Sequence, residues 1–417
     1  MNNTIKEAKT DVKEIIMKSL GKLVSEGKLP AEPLPAFAVE IPNDVSHGDF
    51  SCNIALVSAK VLKQNPRSVA QMLAENADLT GTVFDKIEVA GPGFLNFFVG
   101  KNWFGGTVNA VLEDKEDYGK VNDGNGKKIL VEFVSANPTG PMHIGNARGG
   151  ALGDCLSSLL QYAGYYVERE FYVNDAGNQI NKFALSLDVR YRQHFGEDIE
   201  MPEDSYHGQD IIDHVKKFAE INGDKYMNTS EEERKKALVN YALPLNIQKL
   251  EADLLKYRIK YDTWFKESTF HNSGDVMKIV DMLKEKGVTY EKEGAVWFKA
   301  SEFGDDQDRV LVRANGVPTY FVPDIAYHYN KLVTRGFDKA IDVLGADHHG
   351  YIPRMKAALT ALGVDANKLD VVIMQMVMLV RDGEVVKLSK RSGKAITLAT
   401  LLDEIPMDAA RFFFNLR

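Results

Sequence analysis

The stretch that decides the fold begins with Lys128-Ile-Leu-Val-Glu-Phe-Val134 and continues into Ser135-Ala-Asn-Pro-Thr-Gly-Pro-Met-His-Ile-Gly-Asn146. The first part is an apolar run of strand length, and the second is a loop rich in Pro and Gly that leads into a helical pattern from about His143. Another strand pattern, Val167–Val173, follows this helix. A strand, a helix and a strand in this order form a βαβ unit, which predicts a parallel sheet with a right-handed crossover.

The loop between the first strand and the helix is a candidate ligand site, because doubly wound sheets bind ligands beyond the C-terminal ends of their strands. Free N–H groups and the helix dipole favour phosphate there. The helix carries four glycines, each costing about 1 kcal/mol relative to alanine, at Gly145, Gly149, Gly150 and Gly153. Either a nucleotide lies on the bare helix backbone and His143 stabilises a phosphate, or the small residues pack tightly on the sheet and His143 is a surface residue.

Upstream of this unit, residues 1–120 predict a separate α+β domain. Its predicted elements are a helix over Ile5–Val24, helices over Phe50–Leu62 and after Pro66, and strands within Val83–Val99. The hydrophilic segment Glu113–Lys128 is the best linker candidate. Downstream, residues 121–417 form the second predicted domain, and about 181–300 is interpreted as an inserted region that begins with charged amphipathic helices. Further predicted strands cover Val288–Lys299, Arg309–Phe321, Ala340–Gly345 and Val371–Val380, with a helix after Pro353.

The composition is that of an ordinary globular enzyme. The chain has 417 residues, 51 Lys and Arg against 59 Asp and Glu, and a net charge of −8. This length excludes a small binding module. Two cysteines, Cys52 and Cys155, cannot build a disulfide framework, and no signal peptide or apolar run of membrane-spanning length is present. We therefore expect a cytoplasmic protein without membrane contact.

A second candidate site is the cationic loop Glu384-Val-Val-Lys-Leu-Ser-Lys-Arg-Ser-Gly393. Its positive charges, spaced by small polar residues, suit a departing polyanion such as pyrophosphate. A solvated basic turn is the alternative.

These two segments carry a family resemblance. Residues 132–149, Glu132 to Gly149, resemble the nucleotide-binding signature of class I aminoacyl-tRNA synthetases in its arginyl form, and Lys387-Leu-Ser-Lys390 is similar to that family's Lys-Met-Ser-Lys loop. The resemblance implies a Rossmann-like doubly wound catalytic domain with a helical insertion. It also implies catalytic roles for His143, Lys387, Ser389 and Lys390. Asn146 departs from the signature, which normally has a second histidine there; the amide still donates a hydrogen bond but carries no charge.

The resemblance also assigns binding residues. It implies ATP contacts at His143, Gly145, Asn146, Gly345, Asp347, His348 and Lys390. Asp347-His-His349 also invites a metal interpretation, but adjacent residues without spaced partners are poor ligands, and we expect no protein-built metal site. The resemblance places the substrate guanidinium at Tyr320 and Asp324 and its α-amino end at Glu132 and Asn137. For Asp324, simple charge complementation of a helix N-terminus is the alternative.

The N-terminal domain resembles the additional domain of arginyl-tRNA synthetases through His47–Leu56 and Val89–Phe98. The resemblance implies that this domain contacts the outer corner of the tRNA and that Phe94 and Asn96 hold a loop nucleotide. Without the family, Phe94 is equally well explained as strand core.

The implied activity is ATP- and Mg²⁺-dependent formation of arginyl-adenylate and transfer of arginine to tRNA(Arg) by a monomer. A non-catalytic RNA-binding relative and a small-molecule nucleotidyltransferase are the rival hypotheses. The family continues beyond the lysine loop into a helical anticodon-binding domain, so the resemblance implies that this chain is a truncated form, without that domain, that binds ATP and arginine but aminoacylates poorly.

Overall fold

A computed structural model describes residues 4–375, 377, 379–381, 384–386 and 397–416. Of residues 271–273, 347, 379, 381 and 384–386 it describes the backbone alone. By its internal contacts the chain divides into two compact units, Met1–Val121 and Asn122–Arg417.

The N-terminal unit is a small α+β fold, as predicted. Its elements are α1 (Thr4–Ser25), β1 (Val39–Glu40), β2 (Phe50–Cys52), α2 (Ile54–Leu62), α3 (Pro66–Glu75), β3 (Phe84–Ala90), β4 (Phe94–Val99) and α4 (Lys101–Asp114). The strands form an antiparallel sheet in the order β1-β2-β4-β3. The prediction of a helix from Phe50 was wrong at its start. Phe50 and Cys52 alternate into the core as β2, and the helix begins only at Ile54.

The C-terminal unit is an α/β fold. In its first half the chain forms β5 (Lys128–Phe133), α5 (Ile144–Tyr162), β6 (Tyr166–Val173), α6 (Gly177–His194), α7 (Gln209–Asn222), α8 (Glu231–Lys256) and β7 (Thr263–Lys266). The next elements are α9 (Ser268–Ser273), α10 (Asp275–Glu285), β8 (Thr289–Lys292), β9 (Ala295–Phe298), β10 (Arg309–Val312) and α11 (Phe321–Tyr329). The last are β11 (Lys339–Gly345), α12 (Tyr351–Ala361), β12 (Leu369–Met374), β13 (Leu379–Arg381), β14 (Glu384–Val386), α13 (Leu398–Glu404) and α14 (Met407–Leu416).

Five parallel strands form the central sheet in the order β12-β11-β5-β6-β7. This is the doubly wound Rossmann-like order, in which the chain leaves β5 toward β6 on one side and later returns to β11 on the other. The predicted fold class is confirmed. The switch point between β5 and β11 is the place where such sheets bind ligands.

The region interpreted as an insertion is composite. Helices α6, α7 and α8 share their own core, which includes Phe183, Leu187, Ile211, Phe218 and Leu238. The chain then returns to the central sheet as β7, inside the range 181–300. A separate antiparallel sheet in the order β10-β9-β8 follows.

Two predicted strands are shorter than expected. The strand from Arg309 ends at Val312, since a turn closed by the Arg313 carbonyl and the Gly316 N–H redirects the chain. The strand predicted over Val371–Val380 ends at Met374, where its partner β11 ends, and Leu379 begins a separate hairpin with β14.

The glycines of α5 differ in how closely the sheet packs against them. A β-carbon at Gly153 would lie 2.2 Å from the Phe133 ring, and one at Gly150 would lie 2.8 Å from Ile259. At Gly149 the nearest atom would be the Met374 methyl group at 2.9 Å. Tight packing therefore explains Gly153, where a β-carbon would meet the ring and the β-carbon of Phe133. At Gly150 and Gly149 the nearest atoms are the ends of flexible side chains, and Gly145 lies in the first turn beside the loop.

Within the described ranges, no helix is both long and apolar enough to cross a membrane.

Candidate active site

His143 is the N-cap of α5. Its Nδ1 accepts a hydrogen bond from the Gly145 N–H at 2.9 Å, so the neutral ring carries its proton on Nε2. Asn146 lies in the first turn, and its N–H bonds the His143 carbonyl at 2.9 Å. The helix start thus presents N–H donors around a histidine whose tautomer is fixed, which suits an anionic ligand.

The segment after the lysine loop rejoins the chain at this histidine. Thr397 forms an isolated β-bridge with His143, and the Leu398 N–H donates to the Met142 carbonyl at 2.9 Å. The preceding strand β14 ends at Val386. Lys387, Ser389 and Lys390 lie outside the described residues, but the chain that follows them is fixed beside the signature loop.

The signature loop leaves β5 through an unusual backbone. Val134 and Ser135 have φ values of 71° and 39°, a region that β-branched residues rarely adopt. Beyond this bend, the buried Asn246 of α8 donates to the Pro138 carbonyl at 3.0 Å and bonds His214 of α7 at 2.7 Å. Asn137, half-buried, precedes Pro138. The inserted helices therefore hold the loop that carries Asn137.

The third ATP candidate leaves the sheet at the same edge. Gly345 is the last residue of β11, and a short 3-10 turn, Ala346–His348, follows it. His348 is exposed and lies edge-on to Tyr351 at 6.4 Å between ring centroids. The side chain of Asp347 lies outside the description. Because β11 and β5 are neighbours, this turn and the signature loop both begin at the switch point.

The arginine candidates of α11 lie at its N-terminal end. Tyr320 is 61% exposed, and Asp324 lies half-buried in the first helical turn. Burial, with Glu267 and Glu132 nearby, raises the pKa of Asp324 to about 7 against the opposing charges of His328 and Lys331. Within the described residues, no hydrogen bond or ion pair engages the Asp324 carboxylate.

Beside this helix end is a cavity of about 630 Å³. Its wall includes Tyr320, Pro323, Gly177 and Glu267, which follows β7 and is 6% exposed. The carboxylates of Glu267 and Asp324 add to burial in raising the pKa of the Tyr172 hydroxyl, which lies on β6. Sequence reasoning missed Glu267 and Tyr172. A signal existed in their positions at the carboxyl ends of parallel strands, but β7 was hidden within the region interpreted as an insertion.

Glu132, the other predicted acid, already has two partners. Its Oε1 accepts from the Ser135 hydroxyl at 2.8 Å, and its Oε2 accepts from the buried Lys331 ammonium at 2.5 Å. Lys331 also donates to Asp342 at 2.9 Å. Although burial opposes ionisation of both, their mutual attraction raises the pKa of Lys331 and lowers that of Asp342.

The tRNA candidates lie on one face of β4 in the N-terminal unit. Phe94 is 38% exposed, so the strand-core alternative is wrong for it. Asn96 is only 3% exposed, and its Oδ1 accepts from the Ser51 hydroxyl at 2.8 Å. Leu95 and Phe97 point into the core instead. Phe94 is thus accessible to a base, whereas the Asn96 carbonyl oxygen is engaged inside the sheet.

Two family models match the chain. Residues 107–413 match the catalytic domain of class I tRNA synthetases of the arginine type, and residues 10–99 match the arginyl-tRNA synthetase N-terminal domain.

Known proteins agree with these matches. The arginine–tRNA ligase of Caldanaerobacter subterraneus subsp. tengcongensis is 54% identical over 417 residues, which are 100% of this chain and 74% of the relative. That of Acetivibrio thermocellus is 52% identical with the same coverage. The solved arginyl-tRNA synthetase of Thermus thermophilus shares the fold, with a TM-score of 0.64 at 20% identity over 97% of this chain and 74% of that one. The chain belongs to the arginyl-tRNA synthetases, a family of the class I tRNA synthetases.

Proposed function

We propose that this chain activates L-arginine with MgATP and transfers the arginyl group to tRNA(Arg). The observation that carries the proposal is the Asp324 carboxylate. It lies half-buried in the first turn of α11, near other acids and beside a cavity of about 630 Å³, and within the described residues no cation forms an ion pair with it. A guanidinium supplies the missing charge and the planar donors that a carboxylate accepts in pairs.

The first reaction is adenylate formation. An oxygen of the arginine carboxylate attacks the α-phosphorus of ATP, the bond from that phosphorus to the bridging oxygen breaks, and pyrophosphate leaves. His143 donates from Nε2 to phosphate oxygen, and Lys387 and Lys390 stabilise the leaving charge with Ser389 between them. Mg²⁺ enters with ATP and is held chiefly by phosphate oxygens.

The second reaction is transfer. The 2′-hydroxyl oxygen of the terminal adenosine of tRNA attacks the carbonyl carbon of arginyl-adenylate. The bond from that carbon to the phosphate oxygen breaks, AMP leaves with this oxygen, and the hydroxyl proton passes to the AMP phosphate. Gly145, Asn146, Gly345 and the turn carrying Asp347 and His348 surround the nucleotide in both steps. No covalent enzyme intermediate is needed, because each step has its own nucleophile.

For the N-terminal unit we propose contact with the tRNA corner. The exposed ring of Phe94 offers a stacking face for an unpaired base. Asn96 contributes by holding β4 to Ser51, and its amide N–H groups are the part of the side chain suited to a base edge.

Arginine-dependent ATP–pyrophosphate exchange, with and without tRNA(Arg), tests the proposal. Exchange that requires arginine supports it and excludes a non-catalytic RNA-binding relative. Exchange with another carboxylic acid in place of arginine indicates a different nucleotidyltransferase. No exchange with either, in the presence of tRNA(Arg) and bound ATP, contradicts the proposed activity.

A further inference from the structure

We propose that Lys331 is a positioning residue for arginine recognition, acting through a buried hydrogen-bond chain that joins Glu132 to the backbone of Asp324. The inference rests on the proposed function, since these two residues are the acids assigned to the α-amino and guanidinium ends of arginine. Lys331 itself touches neither end of the substrate in this proposal; it fixes the groups that do.

The lysine lies at the centre of the chain. It belongs to a π-helical turn, Asn330–Thr334, that directly follows α11, and its side chain is completely buried. Its ammonium lies 2.5 Å from Glu132 Oε2 and 2.9 Å from Asp342 Oδ1, and 4.1 Å from the centre of the Tyr327 ring. One side chain thus links β5, β11 and the end of α11.

The chain continues from Asp342 to the arginine pocket. Asp342 Oδ2 lies 2.7 Å from His328 Nε2, and His328 Nδ1 lies 2.8 Å from the Asp324 carbonyl oxygen. Carboxylate and carbonyl oxygens only accept hydrogen bonds, so both ring nitrogens of His328 donate. The ring position is therefore fixed from both sides, and with it the first turn of α11 that carries the Asp324 side chain.

The arrangement favours positioning over stability alone. Burying a lysine among acids costs desolvation that well-packed apolar residues would avoid, so such a cluster is weak evidence for stabilisation. The cluster lies between two acids at opposite ends of one proposed ligand. The hydrogen-bond chain holds Glu132 by its carboxylate at one end and Asp324 by its backbone carbonyl at the other. A shift of Lys331 therefore changes the distance between these two acids.

The consequence is specific to arginine. ATP is assigned to the start of α5 and to the turn after β11. The capping hydrogen bonds of these two segments do not involve Lys331. Loss of the lysine should therefore weaken arginine binding much more than ATP binding. A residue that only supported the fold would weaken both.

Calorimetric titration of the whole chain with L-arginine and, separately, with MgATP tests this, with tRNA(Arg) present. For Lys331→Met we expect the arginine Kd to rise at least tenfold while the MgATP Kd changes less than twofold. The matched control is Lys339→Met, since Lys339 pairs with Asp370 near the other end of β11 and is 37% exposed in its side chain; it should change neither Kd.

His328→Gln provides a second variant that leaves both Lys331 ion pairs in place. Its amide cannot bridge Asp342 and the Asp324 carbonyl as the imidazole does, so we expect a rise of three- to tenfold in the arginine Kd. If Lys331→Met does not fold by thermal melting, this variant alone decides. Unchanged arginine binding, or equal losses for arginine and MgATP, overturns the inference. A wild-type chain that fails to bind arginine refutes the proposed function as well, whereas binding by wild type with unaltered variants refutes the inference alone.

Discussion

Two carboxylates of the C-terminal unit, the half-buried Asp324 on α11 and the buried Asp342 on β11, have opposite properties. The ammonium of Lys331 and the ring of His328 oppose the cost of burial and hold the pKa of Asp342 well below its ordinary value. At Asp324 burial prevails and the pKa rises to about 7. The difference is the presence of cations in direct contact with Asp342. It agrees with the proposal that Asp342 belongs to the framework and that Asp324 receives its cation from arginine.

The largest expected effect concerns the framework. Lys331→Met leaves Glu132 buried without its cation and leaves Asp342 with His328, which should cost about 3–5 kcal/mol of unfolding free energy. Lys339→Met removes a partly exposed pair and should cost about 0–1 kcal/mol. Urea unfolding of both variants measures the difference. If both variants lose the same unfolding free energy, the buried ion pairs of Lys331 contribute no more to stability than a partly exposed pair does.

The next effect concerns the ligand-receiving acid. Asp324→Asn keeps the shape of the side chain but removes its charge, and should weaken arginine binding by about 2–5 kcal/mol, a factor of about 30 to 5,000 in Kd. MgATP binding should be unchanged. Asp281→Asn, on an exposed position of α10, is the control. An unaltered arginine KM in the exchange assay would remove Asp324 from the guanidinium site.

Acidity provides a third test of the same contrast. The proposed guanidinium contact needs an ionised Asp324, and burial raises the pKa of this carboxyl to about 7. Arginine affinity should therefore fall about tenfold for each pH unit below 7 and remain level above it. Titrations between pH 5.5 and 8.5 measure this profile, which Asp324→Asn should flatten. If the arginine affinity of the wild type shows no break near pH 7, then Asp324 does not have the raised pKa on which this prediction depends.

The residues of the sequence predicted the parallel sheet better than they predicted the chemistry of the proposed arginine pocket. The apolar runs 128–134 and 167–173 and the glycine-rich helix between them were sufficient for the parallel sheet, because strand and helix periodicities depend on local residues. The pocket residues Tyr320 and Asp324 came from the family resemblance. Their placement at the start of α11 followed from Pro323, which suits the first turn of a helix.

What the sequence did not predict depends on distant contacts. Glu132 and Lys331 are 199 positions apart and meet only because β5 and the turn after α11 lie against each other. Lys331 has no local pattern that separates it from a solvated lysine. Glu267 was missed for a related reason: β7 is four residues long, and its neighbour in the sheet is β6, far earlier in the chain. The sequence also did not predict that Asn96 is buried. Side chains alternate along β4, so Asn96 lies on the other face of the strand from the core residues Leu95 and Phe97, where exposure is expected.

The smallest expected effect comes from Glu267, whose negative charge helps to keep Asp324 protonated. Glu267→Gln retains the size and hydrogen-bonding capacity of the side chain but removes that charge, so the midpoint of the arginine-binding pH profile should move below 7 by a fraction of a unit. Arginine affinity at pH 8.5, where Asp324 is already ionised, should change by less than about threefold, which corresponds to roughly 0.6 kcal/mol.

Glu302→Gln, at an exposed position after β9, is the control and should leave the midpoint unchanged. A large loss of affinity at pH 8.5 would show instead that Glu267 contacts arginine directly, and an unmoved midpoint would mean that the charge of Glu267 does not contribute to the raised pKa of Asp324. These outcomes distinguish two roles of Glu267: it either raises the pKa of Asp324 by its charge or binds arginine itself. The contrast between Asp324 and Asp342 does not decide between these roles.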